Sequence, residues 1–375
     1  MTFLFVCGGT AGHINPALGI AAEMRLRIPD CKILFVGSGR ELEKRLVPKA
    51  GFHLVNIKMS GLKRGFSPDA VVYNLKTVKN LATASFESAN LLRRLKPDAV
   101  IGTGGYICYP VMRKASKKGI PTFVHEPNAH PGLAVKMLSA FADKIMVTFP
   151  GLEEQYKHPS RVIFTGTPLR DGFLTENDTA ENGSTKEKPV VVSFWGSLGA
   201  RRMNELMTEF IKMNIENKSF FHVHATGKGG MEDMLRRLKK HGVSETGSAY
   251  ADLREYIDDM PSVMKAADIL ICRAGASTIA ELTAMGKPAI LVPSPYVADN
   301  HQDVNAEQLQ KAGGALMLRE KDCTGELLYN EVTTLLKDTE KLEKMIQNQK
   351  SLAVADAASR IADIIIADIN SAGGD

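Results

Sequence analysis

A glycine-rich turn that ends in a histidine follows the first apolar run of the chain. The turn Gly8–His13 (GGTAGH) comes directly after Phe3–Cys7. Its glycines permit positive φ and close backbone approach, and the following helix offers N–H groups to an anion. A neutral His13 imidazole at a strand end is suited to take a proton from an acceptor hydroxyl. The alternative is a histidine that only satisfies the loop backbone, and the spacing matches neither a dinucleotide fingerprint nor a P-loop.

Three further glycine-containing segments each follow an apolar run. Gly102–Tyr106 suits either a second phosphate contact or a tight strand-to-helix turn. Ser197, within the sequence GSLGAR, is placed to donate to a nucleotide and equally to cap a helix. In Arg273–Glu281, a helix N-terminus favours a pyrophosphate. Glu281 either binds ribose hydroxyls or completes a capping box with Thr278, and the spacing alone favours the box.

Absent motifs narrow the chemistry further. The chain has no Asp-x-Asp pair, so we expect helix ends, amides and cations, rather than a metal, to stabilise a diphosphate. The five cysteines are scattered without a CxxC pair, which argues against disulfides and zinc. Aromatic residues are only 6% of the chain, which argues against base-stacking platforms. We therefore predict no metal, no cofactor and no nucleic acid partner.

Buried strands must hold these turns, and two series of short apolar runs supply them. In the first half, strands are predicted at Phe3–Cys7, Lys32–Gly37, His53–Ile57, Asp98–Gly102, Pro121–His125 and Lys144–Thr148. In the second half, they are predicted at Pro189–Phe194, Phe220–Thr226, Ile269–Cys272, Ala289–Val292 and Ala315–Leu318. Each series opens with a strand, a glycine turn and a helix. The pattern predicts an α/β protein with two Rossmann-like halves.

The helical patterns and polar segments set the expected boundaries. Asn15-Pro16 reads as an N-cap followed by proline at the first helical position. Polar residues 175–188 indicate a surface linker. We expect domains of residues 1–165 and 166–350, with the amphipathic segment Ser351–Asn370, in the C-terminal residues 351–375, packing back as a helix on the first. Helices of the second half are predicted at Ala200–Ile215, Met231–His241, Pro261–Ala267, Thr278–Met285 and Gln302–Ala312.

Positive charge is concentrated in the first half. Residues 1–166 carry 23 Lys and Arg against 11 Asp and Glu, or +12, whereas the remainder carries 24 against 31, or −7. This asymmetry indicates an anionic partner for the first half, with a plain solvated surface as the alternative. No apolar run reaches the roughly 18 residues that span a bilayer, and the N-terminus reads as a strand rather than a signal peptide.

A candidate membrane-docking patch lies in the same half. It combines cations with apolar side chains, which suits the surface of an anionic bilayer. The alternative is an ordinary amphipathic helix packed on the sheet. The residues of this predicted patch are Lys63, Arg64, Phe66, Leu75, Lys76 and Lys79.

Seven motifs in a fixed order resemble the MurG family of UDP-N-acetylglucosamine:undecaprenyl-pyrophosphoryl-MurNAc-pentapeptide N-acetylglucosaminyltransferases. The resemblance covers nearly the whole chain. It implies a GT-B fold with parallel sheets facing across a cleft, metal-free inverting transfer of N-acetylglucosamine (GlcNAc) from UDP-GlcNAc, and a β(1→4) link to N-acetylmuramic acid (MurNAc). It also implies peptidoglycan synthesis at the cytoplasmic face of the cell membrane. The motifs are GGTAGHINPAL (8–18), GTGGY (102–106), HEPNAHPGL (125–133), GTPLR (166–170), GSLGAR (196–201), RAGASTIAELTAMGKPAILVPSP (273–295) and NHQDVNA (300–306).

The resemblance also implies roles for individual residues. His13 is the candidate catalytic base, and Gly104, Gly105 and Tyr106 form a loop for the acceptor or a phosphate. The resemblance implies that Glu281 binds the ribose diol, and it favours this role over the capping box. The remaining expected contacts to UDP-GlcNAc are Thr10, Ala11, Gly12, Asn128, Arg170, Ser197, Ile257, Ala276, Ser277, Thr278, Ile279, Ala280 and Gln302.

Departures from the family pattern concern mainly the acceptor side. Ala11 stands where many relatives have Gly, Thr167 replaces a common Asn, and Pro127 replaces a common Gln. The rival interpretations are another GT-B enzyme that glycosylates a membrane lipid, a UDP-GlcNAc 2-epimerase, and a non-catalytic regulator that binds a nucleotide sugar. GGTAGHINP and the HEPN segment favour the peptidoglycan enzyme.

Overall fold

A computed structural model describes residues 1–61, 67–169, 172–173, 188–196, 198–243 and 250–372, apart from the side chains at 68, 70, 71, 74–76, 78, 298 and 372. Lys63, Arg64, Phe66, Arg170 and Ser197 therefore lie outside the described residues, as do the side chains of Leu75 and Lys76. The chain divides into two units. Unit 1 comprises Met1–Arg170 and Val354–Asp375, and unit 2 comprises Asp171–Ala353.

Unit 1 contains a seven-stranded sheet in the order β3-β2-β1-β4-β5-β6-β7, and all neighbouring strands are parallel. Its central strands are continuous apolar runs because helices cover both faces of a parallel sheet. Phe3, Phe5 and Phe35 are fully buried at its centre. The strands are β1 (Thr2–Cys7), β2 (Lys32–Gly37), β3 (His53–Asn56), β4 (Ala99–Gly104), β5 (Thr122–Glu126), β6 (Lys144–Val147) and β7 (Val162–Phe164).

The helices of unit 1 include one from the C-terminal end of the chain. Ile361 and Ile365 of that helix are fully buried in the unit 1 core, beside Ile20 and Met24 of the first helix. The helices are α1 (Ala11–Arg27), α2 (Glu41–Lys49), α3 (Pro68–Leu95), α4 (Cys108–Ser116), α5 (Leu133–Leu138) and α13 (Ala357–Ala372).

Unit 2 contains a six-stranded parallel sheet in the order β10-β9-β8-β11-β12-β13. This is the strand order of Rossmann folds, in which ligands bind beyond the carboxyl ends of the strands. The strands are β8 (Val190–Phe194), β9 (Phe221–Ala225), β10 (Ala251–Arg254), β11 (Ile269–Cys272), β12 (Ala289–Leu291) and β13 (Ala315–Met317). The helices are α6 (Arg201–Asn217), α7 (Met231–Lys240), α8 (Met260–Ala266), α9 (Ala276–Met285), α10 (His301–Lys311), α11 (Gly325–Lys337) and α12 (Thr339–Leu352).

Several local predictions were wrong. Helix α1 begins at Ala11 rather than Pro16, because Thr10 is the extended N-cap residue and Pro16 lies inside the helix. The predicted helix Ser351–Asn370 is two helices, since α12 ends at Leu352 and α13 begins at Ala357. Strands β7 and β10 were missed because they are short and only half buried, so they lack an apolar run. Among the described residues, none of the helices combines the length and apolarity needed to cross a bilayer.

Candidate active site

The register of β1 and β4 brings the first two glycine turns together. Cys7 of β1 pairs with Gly104 of β4, so the turns that follow these strands lie side by side at the carboxyl edge of the sheet. A side chain on Gly104 would place its Cβ 2.8 Å from His13 Nε2, and one on Gly105 would lie 2.5 Å from the Gly8 carbonyl oxygen. The two positions need glycine for this close approach, and both have positive φ.

His13 is the third residue of α1, and hydrogen bonds to its ring and to its carbonyl oxygen help to hold it. Its Nδ1 lies 2.9 Å from the Gly8 carbonyl oxygen, and its own carbonyl accepts from Thr103 Oγ1 at 2.6 Å. Because a carbonyl oxygen only accepts, Nδ1 must carry the proton in the neutral ring. Nε2 is then the atom that can accept a proton, as a general base requires.

The backbone of the first turn does not form the open anion site that its glycines suggested. The N–H of Gly8 donates to the Gly104 carbonyl oxygen at 3.2 Å. The N–H of Gly9 donates to Glu43 Oε1 at 3.0 Å, and Glu43 is fully buried. The protein therefore supplies its own carboxylate at this position, and a phosphate would be repelled from these two amides.

A second buried carboxylate, Glu126, organises the loop after β5. Its Oε1 accepts from the backbone N–H and side-chain Nδ2 of Asn128, at 3.0 and 2.9 Å. Its Oε2 accepts from the Gly132 N–H at 3.1 Å. Burial raises the pKa of Glu126 to about 7, although these three hydrogen bonds oppose that shift. Asn128, an expected substrate contact, is thereby held in one orientation.

Glu43 and Glu126 were not identified from the sequence. Glu126 offered a signal, because it is a carboxylate that ends an apolar strand directly before Asn128. Glu43 offered almost none, since it lies 34 residues from the glycine turn that it contacts.

In unit 2, the N-terminus of α9 lacks a side-chain cap. The helix begins at Ala276, with Gly275 as the N-cap. The alternative of a capping box is therefore excluded, because Thr278 and Glu281 are the third and sixth residues of the helix rather than its N-cap and third residue. Ser277 Oγ is buried and has no hydrogen-bond partner. This end of the helix can thus receive an oxygen-rich anion.

A cavity of about 530 Å³ lies at the carboxyl edge of the second sheet, beside the N-terminus of α10. Its wall is fixed by Arg273, which pairs with Glu320 at 2.6 Å and donates to the carbonyl oxygens of Val292 and Pro293. Gln302 lines this cavity and accepts from the Ser294 N–H at 2.9 Å. Two predicted donor elements, the α9 segment and Gln302, are thus on the ligand-binding edge of the unit 2 sheet.

The other predicted site residues are more scattered. Thr10 and Ala11 are exposed and Gly12 is half-buried at the start of α1, whereas Ile257 is buried between β10 and α8. Tyr106 is 42% exposed after β4. Lys79 is exposed on α3. Within the described ranges, no group of three or more His, Cys, Asp or Glu side chains is arranged to hold a metal ion.

Comparison with known proteins identifies the family. The glycosyltransferase family 28 N-terminal domain matches residues 3–147, and its C-terminal domain matches residues 190–361. An Acetivibrio thermocellus relative is 44% identical over 96% of this chain and 95% of its own length. It is named a UDP-N-acetylglucosamine–N-acetylmuramyl-(pentapeptide) pyrophosphoryl-undecaprenol N-acetylglucosamine transferase.

Solved structures confirm the predicted GT-B fold class. The crystal structure of Acinetobacter baumannii MurG is 25% identical, with a TM-score of 0.74, and the match covers 97% of this chain and 99% of that one. A putative UDP-N-acetylglucosamine 2-epimerase from Listeria monocytogenes has a TM-score of 0.69 at 12% identity, over 99% of this chain and 97% of its own, which shows a shared fold only. The chain therefore belongs to the MurG family within glycosyltransferase family 28, as its seven motifs predicted.

Proposed function

We propose that the protein transfers GlcNAc from UDP-GlcNAc to the MurNAc unit of undecaprenyl-pyrophosphoryl-MurNAc-pentapeptide, with inversion and without a metal. The observation that carries this proposal is the 44% identity, along 96% of the chain, to a relative named for that transfer. The arrangement of His13, with its proton on Nδ1, is consistent with the chemistry.

On the acceptor side, His13 Nε2 takes the proton of the MurNAc hydroxyl as its oxygen attacks C1 of the donor sugar. Asn128, oriented by Glu126, is proposed to contact a sugar. Gly104, Gly105 and Tyr106 are proposed to border the acceptor. Thr10, Ala11 and Gly12 are proposed to border the donor sugar at the start of α1.

On the donor side, the α9 N-terminus is proposed to stabilise the UDP diphosphate as it leaves. Partial positive charge at a helix N-terminus favours the developing anion, and Ser277 Oγ is placed to donate to a phosphate oxygen. Glu281 is proposed to bind the ribose diol, and Gln302 the donor sugar. Ile257 is proposed to meet the uracil through its backbone. Arg170 and Ser197 remain proposed donor contacts.

We also propose that the protein works at the cytoplasmic face of the membrane as a peripheral protein. The support is the +12 balance of residues 1–166 and the cation-rich patch of Lys63, Arg64, Phe66, Leu75, Lys76 and Lys79. Flotation with vesicles that contain anionic lipid should exceed flotation with neutral vesicles. Equal flotation with both would contradict docking by charge.

The decisive test is transfer of labelled GlcNAc from its UDP donor to the undecaprenyl-linked muramoyl-pentapeptide with EDTA present. We expect product, and we expect His13→Ala to lower kcat by about 10²–10⁴-fold. Product that requires magnesium would overturn the metal-free proposal. No product under either condition, with the donor sugar epimerised or a diacylglycerol glycosylated instead, would favour the rival enzymes.

A further inference from the structure

Glu43 has two oxygens with different partners. Oε2 accepts from the backbone N–H groups of Gly39 and Arg40, at 2.8 and 3.1 Å, which is the capping interaction of a glutamate in the first turn of a helix. Oε1 accepts from Ser38 Oγ at 2.7 Å and from the Gly9 N–H at 3.0 Å. One oxygen therefore caps α2, while the other reaches across to the turn that carries His13.

A single peptide group connects this carboxylate to the candidate base. The N–H of the Gly8–Gly9 peptide donates to Glu43 Oε1, and the C=O of the same peptide accepts from His13 Nδ1 at 2.9 Å. The amide is conjugated, so a carboxylate acceptor on its N–H makes its carbonyl oxygen a stronger acceptor. Hydrogen bonds in such a chain polarise one another, and burial strengthens the effect because the local dielectric is low.

We propose that Glu43 is a positioning residue for proton transfer and acts on His13 through the Gly8–Gly9 peptide group. The carboxylate holds the peptide plane, the carbonyl keeps the proton on Nδ1, and Nε2 is left as the accepting atom. When Nε2 takes the acceptor proton, the polarised peptide stabilises the positive ring, and Glu43 itself exchanges no proton. This inference rests on the proposed function, because that function makes His13 the base.

The titratable groups near the Gly8–Gly9 peptide include two buried thiols and one guanidinium. Burial raises the pKa of the Cys7 thiol, on β1, well above its usual range, and raises the pKa of the Cys108 thiol, on α4, to about 12. Both thiols are therefore neutral near pH 7. The guanidinium of Arg40, at the start of α2, has its Nη1 3.9 Å from the position of a Cβ on Gly9.

The test replaces Glu43 with its neutral isostere and follows His13 directly. Glu43→Gln is compared with Glu41→Gln, an exposed glutamate on the same helix whose side chain is 90% exposed. Histidine ¹⁵N spectra of the free protein give the tautomer and titration midpoint of His13, and the His13→Gln variant identifies its signals among the nine histidines. We expect Glu43→Gln to lower the midpoint by about 0.5 pH unit and kcat by about three- to tenfold, with the KM for UDP-GlcNAc unchanged. We expect Glu41→Gln to change none of these quantities.

Ser38→Ala distinguishes the proposed action of Glu43 on His13 from a purely structural role of Glu43. It removes another hydrogen bond of Glu43 Oε1 but leaves the Gly9 contact, so it should lower the unfolding temperature without moving the His13 midpoint. If Glu43→Gln lowers only the unfolding temperature, Glu43 is a helix cap and the proposal is wrong. If the midpoint shifts as expected but no transfer to the lipid-linked acceptor occurs, the proposed action of Glu43 on His13 is supported and the proposed function fails.

Discussion

Both units contain turns that connect a strand to a helix at the carboxyl edge of the sheet. The units differ in whether a buried carboxylate accepts hydrogen bonds from the N–H groups of those turns. In unit 1, fully buried Glu43 and nearly buried Glu126 accept hydrogen bonds from the loop N–H groups at the carboxyl edge of the sheet. In unit 2, the buried Glu320 is paired with Arg273, and the α9 N-terminus has only Gly275 as its cap. An internal carboxylate makes a loop rigid but excludes an anionic ligand, whereas an uncapped helix end attracts one. From this comparison we propose that unit 1 positions the base and that unit 2 binds the diphosphate.

The largest expected effect comes from giving α9 its own carboxylate, as in unit 1. Gly275 has extended backbone, and a Cβ there would lie 3.8 Å from Thr278 Oγ1, so Gly275→Asp fits without strain. The aspartate should cap the helix and repel the diphosphate. We expect affinity for UDP, measured by calorimetry, to fall at least about a hundredfold, while the unfolding temperature holds or rises. The neutral cap Gly275→Asn is the control, and unchanged UDP binding by the aspartate variant would refute the comparison.

The second prediction concerns the stability that the buried carboxyl group of Glu126, in unit 1, costs the protein as the pH rises. Burial raises the pKa of Glu126 from 4.5 to about 7, so the folded protein retains a proton that the unfolded chain releases. The stability from this group is complete below about pH 4.5 and is lost as the pH rises to about 7, by up to about 3 kcal/mol. Urea unfolding of wild type and Glu126→Gln between these pH values should show the difference. Burial also lowers the pKa of His125 to about 4, but this residue is present in both proteins. Parallel pH profiles would show that Glu126 ionises normally.

A smaller effect is expected from adding a side chain at Gly104, which lies against the candidate base His13. Gly104 has a φ of 117°, and a Cβ there would lie 2.8 Å from His13 Nε2. Gly104→Ala should cost about 1–2 kcal/mol of stability and lower kcat about tenfold, with UDP affinity unchanged because the proposed diphosphate site is in unit 2. Gly132→Ala, at a position with φ of −64° and no atom within 4 Å of a new Cβ, is the control. Loss of UDP binding in Gly104→Ala would count against the division of roles.

The smallest effect is expected at the open end of α9. Ser277 Oγ is buried without a partner, so its removal should cost the free protein almost nothing. Ser277→Ala should weaken UDP binding about three- to tenfold, the loss of one hydrogen bond to the ligand. Ser88 is the matched control, because its buried hydroxyl donates to the Ala84 carbonyl oxygen in unit 1. Ser88→Ala should lower stability and leave UDP binding intact, and the reverse pattern would show that Ser277 has a structural role.

Much of the fold could be predicted from the sequence because parallel strands buried on both faces are apolar throughout. All eleven predicted strands are present, with ends that shift by at most two residues. The missed strands, β7 and β10, are three and four residues long and half-exposed, so their positions depend on neighbouring strands rather than on composition. The start of α1 was misplaced because Asn-Pro is a strong local signal, and packing of the helix on the sheet overrode it.

The sequence by itself determined the two Rossmann-like halves, the family, and the candidate base His13, since glycine turns after apolar runs are local patterns. Only the tertiary structure decided which turns are open to an anion. Gly9 and Glu43 are 34 residues apart, so no local pattern connects them, whereas the partners of Glu126 lie two and six residues after it. A glycine loop has the same sequence signature whether its N–H groups meet a ligand or a buried side chain. The distinction depends on which acceptor the fold brings within hydrogen-bonding distance.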